Sequence, residues 1–118
     1  MTANASSPSI PVNALTVAGI DPSGGAGIYA DLKAFSALRA YGTGVVAALT
    51  AQNTQAVTGV HGVPPAFIRE QLDTLFADVR IDTAKIGMLG TAQAAQAVAE
   101  GLAGPIRAGL PAHLVVDP

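Results

Sequence analysis

Residues 15–38 read LTVAGIDPSGGAGIYADLKAFSAL, and this stretch decides the fold. Leu15 to Ile20 is a short apolar run that ends in turn residues. Asp21-Pro22-Ser23-Gly24 fits a type I turn, with Asp at the first corner, Pro at the second and Gly at the fourth. Beyond the glycines, Ile28, Leu32, Phe35 and Leu38 recur at helical spacing. That period predicts a helix over roughly 26–39, closed by Tyr41-Gly42. A strand feeding a helix through a glycine-rich turn is the first half of a βαβ unit.

The alternation continues downstream. Val45 to Ala51 is apolar without a period of two, as in a parallel strand covered on both faces. Gly59 to Val63 fits a short edge strand. Pro64-Pro65 opens a second helix, since proline is tolerated in the first turn. Its predicted core face is Ile68, Leu72, Leu75, Phe76 and Val79. Thr83 to Leu89 is a further apolar strand. Ala92, Ala95, Val98, Ala99 and Leu102 mark a third helix that Gly104-Pro105 should stop. His113 to Val116 is a last strand, ending at Asp117. Strands alternating with helices predict an α/β fold: a doubly wound, mostly parallel sheet with helices on both faces.

Composition narrows the function. Half of the 118 residues are apolar and 12% are charged, against roughly 25% charged in an ordinary domain. This excludes intrinsic disorder and suits a piece of a larger α/β core, because a small free-standing domain is mostly surface. The net charge of −2 and the lack of any basic stretch argue against nucleic-acid binding. Without cysteine there is no disulfide, thiolate–zinc site or thiol nucleophile in these residues. The most apolar run, Ala40 to Ala51, is too short to cross a membrane. The start, Met1 to Ser9, lacks the basic residues of a signal peptide. Residues 1–12 are read as a disordered tail, 13–118 as the folded part, and the protein as cytoplasmic.

In open parallel sheets, ligands bind outside the carboxyl ends of the strands. That rule selects Gly19 and Asp21, Gln52 and Asn53, Gly87 and Met88, and Asp117, together with the loop Ser23-Gly24-Gly25-Ala26-Gly27. Gly19 and Gly24 have P-loop spacing, but Gly25 stands where the lysine must be, so that phosphate cradle fails. Gly25-Ala26-Gly27 approaches a dinucleotide fingerprint, yet no Asp or Glu occurs between Asp31 and Glu70 to hold a ribose. The loop either only turns the chain or lets a ligand approach bare backbone and a helix amino end.

Gln52 offers a donor and an acceptor side by side, which suits an aminopyrimidine-like edge, or is one residue of a polar loop. Met88 is a core filler or an apolar wall against a flat ring. Asp31, one turn into the first helix, stabilises the helix amino end or lies near a ligand. Asp21 reads as the turn residue. Asp117 is the acid that meets a metal–phosphate group, or is only a chain end. Lys85 is expected at the edge with its head in water. His61 and His113 carry no functional expectation.

Taken together, these residues resemble a known family. The segment from Ala18 through Ile28, then Ala30 to Lys33, is similar to the opening of the hydroxymethylpyrimidine/phosphomethylpyrimidine kinases of thiamine biosynthesis. The likeness continues through Tyr41-Gly42-Thr43, Ala51 to Thr54, Gln71-Leu72-Asp73, Asp78 to Asp82, Lys85 to Leu89 and Val115 to Pro118. It implies a ribokinase-like fold and transfer of the ATP γ-phosphoryl group, with Mg²⁺, to 4-amino-5-hydroxymethyl-2-methylpyrimidine and then to its monophosphate. By position it implies that Gln52 hydrogen-bonds the pyrimidine, Gly19 contacts it through backbone, Met88 packs on the ring and Asp31 lies nearby. Asp117 falls toward the ATP side.

Members of this family are longer than this chain. The resemblance therefore implies a truncated, amino-terminal half that carries the substrate side, with the catalytic base, the anion hole and most of the ATP site beyond Pro118. A full-length homodimer fits this picture. The alternatives from other classes are a non-catalytic pyrimidine- or pyridoxal-binding module of the same fold and a dinucleotide oxidoreductase. Ending the sheet at Asp117 would leave a strand edge uncovered, so the isolated chain is expected to be poorly soluble or self-associating.

Overall fold

In the computed structural model, which describes residues 10–117, the first strand of the chain is the centre of the sheet. β1 (Asn13–Ile20) pairs in parallel with β2 (Tyr41–Gln52) on one side and with β4 (Thr83–Ile86) on the other. β5 (His113–Val116) extends the parallel set beyond β4, and β3 (Val57–Gly62) lies antiparallel on the far side of β2. The order is β3-β2-β1-β4-β5. Leu15 and Val17 of β1 are fully buried, as a central strand covered on both faces requires.

Three helices among the described residues cover the two faces. α1 (Gly27–Ala37) packs on β1 and β2. α2 (Pro65–Phe76) and α3 (Ala92–Arg107) pack on each other across the opposite face. The main core lies on this second face, where Leu15, Val17, Val45 and Ile86 meet Ile68, Leu72, Val98 and Leu102. Each fully buried Leu or Ile there stabilises the fold by about 1.5–3 kcal/mol before entropy is counted. Gly101 lets α2 and α3 approach closely, because a Cβ there would press on Leu72 Cδ1 at 2.6 Å. The Val46 N–H and carbonyl, on the part of β2 that β3 does not reach, are both met by the Gln71 side-chain amide at 2.9 Å.

The chain visits β2 on one side of β1 and then crosses to β4 on the other. The sheet therefore has its switch point between the carboxyl ends of β1 and β4, where doubly wound folds open a crevice.

Several boundaries differ from the sequence reading. α1 stops at Ala37 because Arg39 turns into the left-handed region (φ 63°), and Tyr41 already begins β2 instead of closing the helix. α2 ends at Phe76, so Val79 packs on the core from the following loop. β4 ends at Ile86; Gly87 N–H still donates to the Val17 carbonyl at 2.9 Å, and Met88 and Leu89 lie beyond the sheet. Gly104-Pro105 does not stop α3, which runs to Arg107 with Pro105 inside it. Pro105 falls in the last turns, where its missing N–H costs one helical bond and Ala108 N–H still reaches the Gly104 carbonyl. The tail expected over 1–12 lies mostly outside the described residues. At its end, the Val12 carbonyl accepts from Tyr41 N–H and the Pro11 carbonyl from Arg80. No helix among the described residues is long and apolar enough to cross a membrane.

Candidate functional site

The site begins with the turn after β1. Gly24 N–H donates to the Asp21 carbonyl at 3.0 Å, closing the turn. The Asp21 carboxylate then collects Ser23 N–H, the Ser23 hydroxyl and Gly25 N–H at 2.8, 2.6 and 3.1 Å. The Ser23 hydroxyl, helped by the backbone N–H groups of Ser23, Gly25 and Ala26, holds this carboxyl below its ordinary value although burial opposes the charge. Asp21 is thus the turn residue, and it fills with its own carboxylate the place an anion would take in the loop. Gly27 opens α1 at φ 63°, and a Cβ there would run into the Gly19 carbonyl oxygen. Only glycine lets helix and strand meet so closely.

The carboxyl ends of β1, β2 and β4, with Asp117 after β5, surround one cleft of about 310 Å³. Gly19, Thr50, Gln52, Lys85, Gly87, Met88 and Asp117 all line it. Met88 is not core: it is 57% exposed, and a Cβ on Gly19 would lie 3.9 Å from its Cε. The bare backbone of Gly19 and the thioether therefore form one wall. Gln52, last residue of β2, stands with its amide beside the Thr50 hydroxyl. Of the residues selected from sequence, Gly19, Gln52, Met88 and Asp117 share this cleft, whereas Asp31 does not line it.

Asp31 is connected to the cleft through Lys85. Its Oδ2 accepts the Thr16 hydroxyl at 2.6 Å and lies 2.8 Å from Lys85 Nζ. Thr16 and Lys85 are opposite one another in the β1–β4 register and both face α1. This corrects two readings. Lys85 does not carry its head to water: its side chain is 23% exposed and ion-paired. Asp31 does not cap α1, because its carboxylate is turned to the sheet, where it compensates the fully buried Thr16 hydroxyl and the lysine.

The sequence did hold a signal for Lys85, a lysine between two apolar strand positions with an acid on the adjoining helix. For Thr50 the only signal is its place two residues before Gln52, and so on the same face of β2. His61, on exposed β3, and His113, at the amino end of β5, lie outside the cleft. Among the described residues no three His, Cys, Asp or Glu side chains come together to hold a metal ion. The arrangement can therefore hold a small flat ring by an amide edge, bare backbone and an apolar wall.

Comparison with known proteins agrees with this fold. The family model for phosphomethylpyrimidine kinase matches residues 21–118. A hydroxymethylpyrimidine/phosphomethylpyrimidine kinase of Escherichia coli is 62% identical over 91 residues, which are 77% of this chain and 34% of the relative. The crystal structure of a phosphomethylpyrimidine kinase from Clostridium difficile superposes with a TM-score of 0.82 at 42% identity, covering 91% of this chain and 45% of that one. A Staphylococcus aureus pyridoxal kinase, solved with AMP-PCP and pyridoxal, superposes at 0.79 with 32% identity, covering 93% of this chain and 40% of that one. These neighbours are ribokinase-like, and the chain spans about a third of the length of the Escherichia coli relative and of a Salmonella typhimurium one. With its α/β fold, its switch-point cleft and its sequence in agreement, the chain belongs to the phosphomethylpyrimidine kinase family.

Proposed function

We propose that this chain supplies the pyrimidine-binding side of a kinase of thiamine biosynthesis. The kinase transfers the γ-phosphoryl group of ATP to the hydroxymethyl of 4-amino-5-hydroxymethyl-2-methylpyrimidine, and then phosphorylates the monophosphate. The observation that carries the reading is the convergence of Gly19, Gln52 and Met88 on one cleft. In this reading the Gln52 amide pairs with the aminopyrimidine edge, Gly19 lets the ring approach backbone, and Met88 packs on its face. Asp31 acts from behind, holding Lys85 at the cleft floor. Asp117 faces the nucleotide side.

The chain's own chemistry limits what it does alone. Phosphoryl transfer is mostly positioning and charge stabilisation, and bound Mg²⁺ would neutralise charge developing on the phosphates. A magnesium site of this kind needs one or two carboxylates besides the phosphates. Asp117 fits as one such carboxylate, whereas Asp21 is already saturated by its own loop. The base and the phosphate-stabilising groups are assigned to residues beyond Pro118, so the 118 residues bind pyrimidine without turning it over.

Calorimetric titration of the chain with the hydroxymethylpyrimidine, alongside pyridoxal, tests the binding half of the reading. A phosphorylation assay with ATP and Mg²⁺ tests the other half. The expected result is saturable binding that favours the pyrimidine, with no phosphorylated product. Equal or stronger binding of pyridoxal would favour a non-catalytic binding module, and ATP-dependent product would overturn the division of labour.

A further inference from the structure

We infer that Thr50 is a positioning residue that fixes which way round the Gln52 amide is held, and thereby selects an amino-substituted ring edge over an oxo-substituted one. The inference rests on reading the cleft as a pyrimidine site. Thr50 Oγ1 lies 2.7 Å from the Ile20 carbonyl oxygen and 3.2 Å from the Gln52 side-chain oxygen. Both neighbours are acceptors, and a hydroxyl has one proton to give. The Ile20 carbonyl belongs to the backbone and can only accept, and its contact is the shorter. The Thr50 proton goes there, which leaves lone pairs facing Gln52.

An amide oxygen set against those lone pairs is repelled. Turning the amide end for end puts an N–H of Nε2 on Thr50 Oγ1 and removes the conflict. Of the two Nε2 protons, Thr50 then takes the one pointing away from Oε1. The other, together with Oε1, forms a paired donor and acceptor facing the cleft. An aminopyrimidine matches that pair, its amino group donating to Oε1 and its ring nitrogen accepting from Nε2. A 4-oxo ring with a protonated ring nitrogen has the opposite order and needs the amide reversed, which returns it to the clash with Thr50. The selectivity thus originates in a hydroxyl that need not touch the ligand.

The test uses the 118-residue chain and two ligands, the hydroxymethylpyrimidine and its 4-oxo counterpart, with wild type, Thr50→Val and Thr50→Ser. Wild type is expected to prefer the amino compound. Thr50→Val should narrow that preference about tenfold, the worth of one hydrogen bond in a site built for it, and Thr50→Ser should restore it. A ratio unchanged in Thr50→Val, with both affinities lowered together, would mean that Thr50 only shapes the cleft and would overturn the inference.

A ligand-free measurement keeps the two readings separable. In wild type, nuclear Overhauser contacts are expected between the Gln52 Nε2 protons and the Thr50 side chain, and their absence would overturn the inference. A chain that binds neither compound but shows those contacts would sink the pyrimidine reading while leaving the amide's orientation established.

Discussion

At the amino ends of the parallel strands, the Asp82 carboxylate accepts from Asn13 N–H at 2.8 Å and from Arg80 at 2.9 and 3.0 Å. Arg80 also donates to the Pro11 carbonyl, and the Asn13 side chain to the Arg80 carbonyl. At the carboxyl ends, Gln52, Lys85, Met88 and Asp117 face a common cleft instead. One edge of the sheet spends its polar groups on one another, and the other leaves them for something else. Structural polar groups find partners within the chain wherever they can. The edge that keeps an amide, a thioether and the Asp117 carboxylate open, beside an adjoining turn as well satisfied as that of Asp21, is the one we assign to a ligand.

The largest effect should come where the open edge is held in shape. Gly27→Ala drives a Cβ into the Gly19 carbonyl from a backbone at φ 63°. We expect a loss of more than about 3 kcal/mol in urea unfolding, with the cleft lost as well. A variant as stable as wild type would mean that α1 and β1 do not meet as described.

Lys85→Met leaves Asp31 charged and only partly exposed beside Thr16. Breaking a pair intermediate between exposed and buried should cost about 2 kcal/mol. Much of this should return in the double variant Asp31→Asn with Lys85→Met. No recovery in the double variant would show that the two side chains do not interact.

Gln52→Ala and Asp82→Asn separate the two edges most cleanly. Gln52→Ala should weaken hydroxymethylpyrimidine binding about tenfold in calorimetry while stability changes by less than about 0.5 kcal/mol. Asp82→Asn should do the reverse, lowering Tm and sparing affinity. If both variants moved the same observable, the contrast between the edges would fail.

The smallest effect is in acid. Hydrogen bonds from Ser23 to Asp21, and from Arg80 and Asn13 N–H to Asp82, hold both carboxyls below the ordinary 3.8. Groups lowered on folding stabilise the native state above the unfolded value, and that contribution disappears as pH falls through the folded value. Thermal unfolding should therefore show Tm falling below about pH 3.8, less steeply in Asp82→Asn. An unchanged slope would show that the pairing at the closed edge is not formed in solution.

Much of this was readable from local pattern. The run through residues 15–38 carries strand, turn and helix signals in sequence, and the strand-end rule then placed Gly19, Gln52, Met88 and Asp117 along one edge. What escaped depends on partners far away in the chain. Lys85 reads as a surface lysine until the β1–β4 register sets it beside Thr16 and under Asp31, 54 residues distant. Pro105 reads as a helix stop because the sequence does not reveal that its missing bond falls so near the helix end. Thr50 reads as a strand residue until its hydroxyl is set between the Ile20 carbonyl and the Gln52 amide.

The most direct test of the central claim is a two-dimensional NMR titration of the chain with 4-amino-5-hydroxymethyl-2-methylpyrimidine. The resonances of Gly19, the Gln52 side-chain amide, Gly87 and the Met88 methyl should shift together with one midpoint, while those of Asn13, Asp82 and Thr83 stay in place. Shifts centred on the amino ends of the strands, or Gln52 and Met88 responding with different midpoints, would contradict the account.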